Sequence, residues 1–336
     1  MEKILVVGPS WVGDMVMAQT LFKLLQQRYP HSQIDVLAPA WSHPILARMP
    51  EVTQAITLPL GHGQLGLKSR WQLGRQLKQE GYTQAIVLPR SWKSALVPFA
   101  AGIPRRIGFH GEQRYILLNH RRRLDKKQLD QTVKRFAALG LDSNEAITTM
   151  PLPAPALRID SAQQQRLQQE FGLDQQLPAI AMMPGAEYGP AKQWPLSSFQ
   201  KLAEELVAAG YQVWILGGPK DRAAGEVIAQ SQHPSIVNLC GRTQLADVVD
   251  LLALAEQAVT NDSGLMHVAA AVGTRVHAIY GSSSAAFTPP LTENKVIHSL
   301  NLDCSPCFKR ECPLGHTRCL KDLHLGVKEL THAGRA

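Results

Sequence analysis

The chain has 336 residues, of which 45% are hydrophobic and 18% charged, and its formal net charge is +8. That length exceeds the usual single core and predicts two domains of about 150–170 residues, while the composition excludes long disorder. No run of about 20 apolar residues exists, which excludes a helical membrane span; no signal-peptide pattern precedes the first strand, so a cytosolic protein is expected. The positive excess favours anionic partners: nucleic acid, a phosphorylated small molecule or an acidic membrane surface.

Residues 4–8 (ILVVG) read as a short buried strand and 15–27 as a helix, joined by the turn 9–14 (PSWVGD). The turn lacks the G-x-G-x-x-G spacing, so a nicotinamide cofactor is not supported. Asp14 falls at the helix N-terminus. There it is either a cap or, at the carboxyl edge of a parallel sheet, an ionised carboxylate able to accept a proton. Strands at 34–37, 55–58 and 85–88 alternate with helices at 44–49 and 69–79. Lys93, just past the last of these strands, directs a charge at the same sheet edge. From Arg105 onward the first half is basic (Arg106, Arg114, Arg121, Arg122, Arg123), with Lys68, Arg70 and Arg75 before it. Such runs are either a solvated face or the meeting surface for an acidic acceptor at a membrane.

The stretch 150–155 (MPLPAP) is a stiff, proline-rich connector and sets the expected boundary between domains 1–155 and 156–336. A helix after Leu325 is expected to pack back across the connector onto the first domain. The second half restarts the alternation with a strand at 179–183, a glycine- and proline-rich loop at 184–195 and a helix from 195 to about 209. In that loop Lys192 is either a point charge for a phosphate or a solvated lysine. Further strands fall at 213–216, 236–239 and 276–280. Between the last two, 260–271 (TNDSGLMHVAAA) reads as strand end, polar turn and helix. Asn261, Asp262 and Ser263 are cap residues, Gly264 admits a ligand close to the backbone, and a helix N-terminus suits a phosphate. His267 lies one turn in, either reaching the same anion or packed beside an ordinary cap.

Five cysteines are present: Cys240 and the cluster Cys304, Cys307, Cys312 and Cys319, spaced C-x2-C-x4-C-x6-C with His316 inside it. A reducing compartment argues against permanent disulfides. The cluster is either a structural zinc site or a tight loop whose thiols merely pack. Polar loops at strand ends in both halves predict an α/β protein of two Rossmann-like domains facing each other across a cleft.

Segments spread over nearly the whole chain resemble the lipopolysaccharide heptosyltransferases of glycosyltransferase family 9. They are GPSWVGDMVMAQTL at 8–21, APAW at 38–41, RMPEV at 48–52, LPLGHG at 58–63 and KSALVPFAAGIPRR at 93–106. In the second half they are PGAEYGPAKQWP at 184–195, TNDSGLMHVAAA at 260–271 and YGSSSAAFTPPL at 280–291. The resemblance implies a GT-B architecture and an inverting transfer that needs no metal ion. It implies an ADP-heptose donor, and as acceptor the first heptose of the Kdo–lipid A core, met by peripheral contact with the cytosolic face of the inner membrane. Asp14 matches the family's catalytic base, Lys192 its donor-phosphate lysine, and Asp262, Ser263, Gly264 and His267 its diphosphate-binding turn. Ser10, Trp11 and Gly13 are placed around the base, and Glu187 and Trp194 in the donor loop. Lys68, Lys93, Arg105 and Arg114 are candidates for the acceptor's phosphates and carboxylates, from charge and position. The cysteine-rich stretch carries no implied activity. Rival readings are a heptosyltransferase acting on another core acceptor, a sugar-nucleotide 2-epimerase, a nucleotide-sensing module and a basic nucleic-acid-binding protein. Against the last, aromatic content is only 6% and no interleaved aromatic–basic motif is present, so nucleic acid is not expected as a partner.

Overall fold

The computed structural model describes residues 1–61, 63–142, 147 and 151–331. His62 of the 58–63 segment and Met150 at the head of the connector lie outside them. The chain divides into two compact units, Met1–Ala156 and Leu157–Ala336.

The first unit runs β1 (Lys3–Val7), α1 (Val12–Arg28), β2 (Gln33–Ala38), α2 (His43–Leu46), β3 (Gln54–Thr57), α3 (Leu67–Leu77), β4 (Gln84–Val87), α4 (Leu96–Ala100), β5 (Arg105–Phe109), β6 (His120–Arg122) and α5 (Thr132–Gly140). Its strands lie in the order β3-β2-β1-β4-β5-β6, all pairs parallel. Four consecutive residues of β1, Ile4 to Val7, are buried. A continuous apolar run rather than an alternation is what a central parallel strand covered on both faces requires. Helix α1 begins at Val12, three residues before its expected start at 15, so Asp14 sits inside the first turn.

The second unit runs α6 (Ser161–Phe171), β7 (Ala179–Met183), α7 (Leu196–Ala208), β8 (Gln212–Ile215), α8 (Arg222–Ile228), β9 (Ile236–Asn238), α9 (Leu245–Leu254), β10 (Gln257–Asn261), α10 (Gly264–Ala271), β11 (Arg275–Ile279), β12 (Lys295–His298), α11 (Arg318–Lys321) and α12 (Val327–Thr331). Strand order is β12-β11-β10-β7-β8-β9, again all parallel. In both units the chain builds outward from its first strand on one side, then returns to build outward on the other. This is the doubly wound Rossmann order, with the switch point between β1 and β4 in one unit and between β7 and β10 in the other.

The helix after Leu325 differs from expectation. α12 packs on α7, and Leu325 and Leu330 are buried in the second unit's own core with Phe199, Leu202 and Leu206. Burial of two leucines against an apolar helix face, at roughly 2 kcal/mol each, explains that choice.

In the first unit α3 turns Arg70, Gly74 and Leu77 inward, one face at helical spacing, and packs on α4. A Cβ added at Gly74 would lie 2.6 Å from Ala100 Cβ and 2.6 Å from the Val97 carbonyl oxygen. Gly74→Ala is therefore expected to cost about 1–3 kcal/mol through overpacking, read as a lower urea midpoint at unchanged slope. A midpoint equal to the parent's would show that the two helices part freely.

Candidate active site

Strands β7 and β10 are neighbours in register, Met183 opposite Thr260, so the 184–195 loop and the start of α10 leave the sheet side by side. Asn261, fully buried at the end of β10, ties them together. Its Nδ2 donates to the Pro184 carbonyl at 2.7 Å, and its Oδ1 accepts the Trp194 N–H at 3.0 Å. One side chain thus closes both ends of the loop. Trp194 anchors the far end in the core, donating from Nε1 to the Leu323 carbonyl at 3.0 Å and meeting the Phe199 ring edge-on.

Within the loop so held, Lys192 Nζ donates to Asp262 Oδ2 at 2.5 Å, with the two side chains 18% and 6% exposed. The Tyr188 ring centre lies 5.1 Å from the same ammonium. An ammonium has three donors, and this pairing uses one, so two remain to meet an anion. A carboxylate repels a diphosphate. Asp262 therefore stands in the site as the partner that holds Lys192 in place.

Ser263 is the N-cap of α10 in extended geometry, φ −139° and ψ 172°, and its side chain makes no cap hydrogen bond. Its Oγ lies 3.3 Å from Thr260 Oγ1 instead. The first-turn amides from Gly264 onward are thus left without a side-chain cap, and the end of the helix carries its partial positive charge beside Lys192. His267, one turn along, is 5% exposed, and its Nδ1 is buried with no hydrogen-bond partner among the described residues. Burial pushes its pKa down to about 4; Asp262 opposes the shift and Lys192 adds to it. At neutral pH it is an uncharged imidazole, which offers an anion a hydrogen bond but no second cation. Glu187 does not join this group. It is exposed and pairs with Lys220 at 3.3 Å, another surface side chain.

The first unit repeats the arrangement at its own switch point. Asp14 is the third residue of α1, directly beyond the carboxyl end of β1; Gly13 is buried, and Ser10 and Trp11 are exposed. Trp11 is the N-cap and makes no side-chain cap. Beside it, past β4, Lys93 donates to the Gly63 and Gln64 carbonyls at 3.2 and 3.3 Å. Lys68 is exposed in the first turn of α3, the helix that follows β3. A carboxylate and two lysines therefore follow the carboxyl ends of strands at one edge of this sheet.

A model of glycosyltransferase family 9 (heptosyltransferase) matches residues 70–318. The chain belongs to this family. It is 46% identical over 329 residues to lipopolysaccharide heptosyltransferase 2 of Escherichia coli K12, covering 96% of this chain and 94% of that one. It is 45% identical over 304 residues to lipooligosaccharide heptosyltransferase 2 of Haemophilus influenzae, covering 88% and 87%. Among solved structures, that of E. coli ADP-heptose lps heptosyltransferase II matches with a TM-score of 0.83 at 45% identity, over 89% of this chain and 90% of that one. E. coli heptosyltransferase WaaC with ADP shares the fold at a TM-score of 0.70 and 20% identity, over 88% and 92%. The expected α/β, GT-B class of fold and a glycosyltransferase activity are thereby supported.

Two of the arginines expected to meet the acceptor in this family 9 protein do not fit that role. Arg114 is 3% exposed and spends its guanidinium internally. It donates to the carbonyls of Phe109 at 2.9 Å, Pro89 at 2.7 Å and Ser91 at 3.1 Å, and to Ser94 Oγ at 3.3 Å. Burial, with Arg90 nearby, lowers its pKa to about 10. It is a strut that pins the loops after β4 and β5. Arg105 is the first residue of β5, at the amino end of a parallel strand, and faces Asp142 at 3.8 Å. Asp142 also pairs with Arg28, the last residue of α1, so Arg105 lies at the sheet edge opposite Asp14. Sequence proximity to a basic run misled because strand direction, not charge density, decides which edge a residue occupies. Arg70 and Arg106 are likewise committed to main-chain carbonyls, Leu65 and Leu117, each at 2.8 Å.

The side chains that sequence reasoning missed are Asn261 as a clamp and Tyr188 as the aromatic face beside Lys192. Asn261 had a legible signal: an amide side chain closing an apolar strand. Its partners lie 67 and 77 positions away and had none.

A pH dependence follows from His267. The unfolded chain has the ordinary value of 6.5 and the native one about 4, so between them the unfolded state binds more protons. Stability is therefore expected to fall as pH drops from about 6.5 towards 4. His277, held at about 3 by burial and by His298 and Arg275, acts in the same direction. Between pH 7 and pH 5, His267→Gln is expected to lose about 2 kcal/mol less than the parent in urea unfolding. Equal losses would show that His267 is not the titrating group.

Proposed function

We propose that this chain moves L-glycero-D-manno-heptose from ADP-heptose onto the first heptose of the Kdo–lipid A core, inverting the anomeric centre without a metal ion in the chemical step. The observation that carries the reading is Lys192, held by Asp262 beside the uncapped end of α10: one cation and several main-chain amides, arranged for a diphosphate. The identity to enzymes named lipopolysaccharide heptosyltransferase 2 supports the sugar and the acceptor. Asp14 takes the proton from the acceptor hydroxyl as its oxygen bonds to the anomeric carbon. The bond from that carbon to the β-phosphate oxygen breaks, and its electron pair leaves with ADP. Lys192 and the α10 amides bind the departing diphosphate more strongly as its charge grows, and only such differential binding accelerates the step. Neutral His267 adds a hydrogen bond there.

Contact with a membrane surface belongs to the same reading. No helix among the described residues is long and apolar enough to cross a membrane. Helix α3 and its preceding loop expose Leu65, Leu67 and Trp71, with Lys68 and Arg75 exposed among them. Apolar side chains mixed with lysine and arginine suit an anionic lipid surface.

The direct test is transfer from ADP-heptose onto lipid A cores carrying zero, one or two heptoses. Only the one-heptose core is expected to gain a sugar; extension of either other core instead would reassign the acceptor, and an acceptor-independent change in the sugar nucleotide would favour an epimerase. Asp14→Asn is expected to lower turnover by about 10²–10⁴-fold while keeping ADP affinity. Lys192→Ala is expected to lose donor affinity and rate together. Should Asp14→Asn weaken ADP binding as much as turnover, Asp14 is not the base.

A further inference from the structure

The cysteine-rich stretch takes no part in the chemistry above, yet its side chains gather. Cys304, Cys307, Cys312, Cys319 and His316 all line one small cavity, with Ala191 of the Lys192 loop in its wall. Its volume is about 20 Å³, room for one water-sized or ion-sized occupant and for no organic ligand. None of the four thiols is in a disulfide, and all four are at least partly accessible, unlike buried Cys240. We propose that Cys304, Cys307, Cys312 and Cys319 bind one thiophilic metal ion, zinc by the chemistry of the donor set, and that this ion buttresses the loop carrying Lys192.

Three observations support the site. First, the turn after Cys312 curls its amides back on the sulfur. The Thr317 N–H donates to Cys312 Sγ at 3.4 Å. Main-chain N–H groups aimed at one sulfur favour the thiolate, the form that ligates a metal. Second, Cys319 and Cys307 stand with Cys304 and Cys312 around the same small cavity, so the four sulfurs would face one another's charge if ionised. Mutual repulsion of thiolates is what a divalent cation relieves. Third, Lys309, Arg310 and Arg318 are interleaved with the cysteines and offset the charge of a tetrathiolate centre.

Among the described residues no three His, Cys, Asp or Glu form a ready ligand set, so binding requires the cysteine side chains to rotate inward. Tetrahedral coordination at about 2.3 Å per sulfur asks for such closure. Four thiols give up four protons as the ion enters, so binding tightens with rising pH.

The link to the Lys192 loop is direct. Ala191 N–H donates to the Arg310 carbonyl at 3.0 Å, and Tyr188 OH donates to the Phe308 carbonyl at 2.9 Å. The Arg310 guanidinium sits 5.4 Å from the centre of the Tyr188 ring whose other contact is Lys192. The effect on the nucleotide rests on the function proposed above; the metal site does not.

The test begins with the full chain purified without chelator and its metal content measured. One zinc per chain is expected, falling to near zero in Cys312→Ser/Cys319→Ser. Replacement by Co²⁺ is expected to give the intense visible bands of tetrahedral thiolate coordination, a readout that survives if the double variant fails to fold. Four thiols should react quickly with a disulfide reagent after metal removal and slowly with zinc restored. Purified chain holding well under a tenth of an equivalent of zinc, with thiol reactivity unchanged by added zinc, would overturn the site. Metal removal is also expected to weaken ADP binding, recovered on adding zinc. Stoichiometric zinc with ADP affinity indifferent to it would overturn the buttressing role alone.

Discussion

Every group assigned to the chemistry owes its position to one constraint, the reversal of strand order beside the first strand of each unit. β1 and β7 are laid down first and become central because the chain adds strands on one side and then on the other. At that reversal the two neighbouring strands send their chains on to opposite faces of the sheet, and their loops start side by side at its edge. Lys192 and Asp262 come from the two loops of one such reversal, 70 residues apart, and meet there. Asp14 and Lys93 come from the two loops of the other.

The electrostatics of the second unit's site rest on a division of labour. Asp262 pairs with a largely buried ammonium and holds it in place, Asn261 keeps the loop closed, and the α10 amides supply partial charge that needs no counter-ion. His267 stays neutral because burial outweighs the nearby carboxylate. On the proposed function, a second full cation in that place would bind ground-state ADP-sugar and released ADP alike. Hydrogen-bond donors and one oriented lysine would instead concentrate the interaction on charge that develops during bond breaking.

The first unit spends its positive charge differently. Arg70, Arg106 and Arg114 hold loop carbonyls in place, and Arg105 and Arg28 share Asp142 at the far edge. The guanidinium suits this work because its several donors, fixed in one plane, satisfy several carbonyls at once. Lys68 stays exposed, while Lys93 is half-buried and donates to the Gly63 and Gln64 carbonyls. The net charge of +8 therefore overstates the basic surface.

Much was legible in the chain before any coordinates. Apolar runs of strand length followed by polar turns and helical stretches dictate a parallel α/β architecture, because the period of the hydrophobic pattern is a local property. The ends of those runs also mark Asp14, Lys192 and Ser263 as loop or first-turn residues, and the ordered segments from 8 to 291 carry the family. Tertiary structure alone decided which polar side chains are committed to partners. Arg114 and Lys68 look alike as isolated cations, but one is buried among carbonyls and the other is exposed. Arg105 follows from strand direction, Asn261 from partners far along the chain, and the placing of α12 from which apolar face was open to it. Each depends on packing between distant segments, and that information exists only once the backbone has closed on itself.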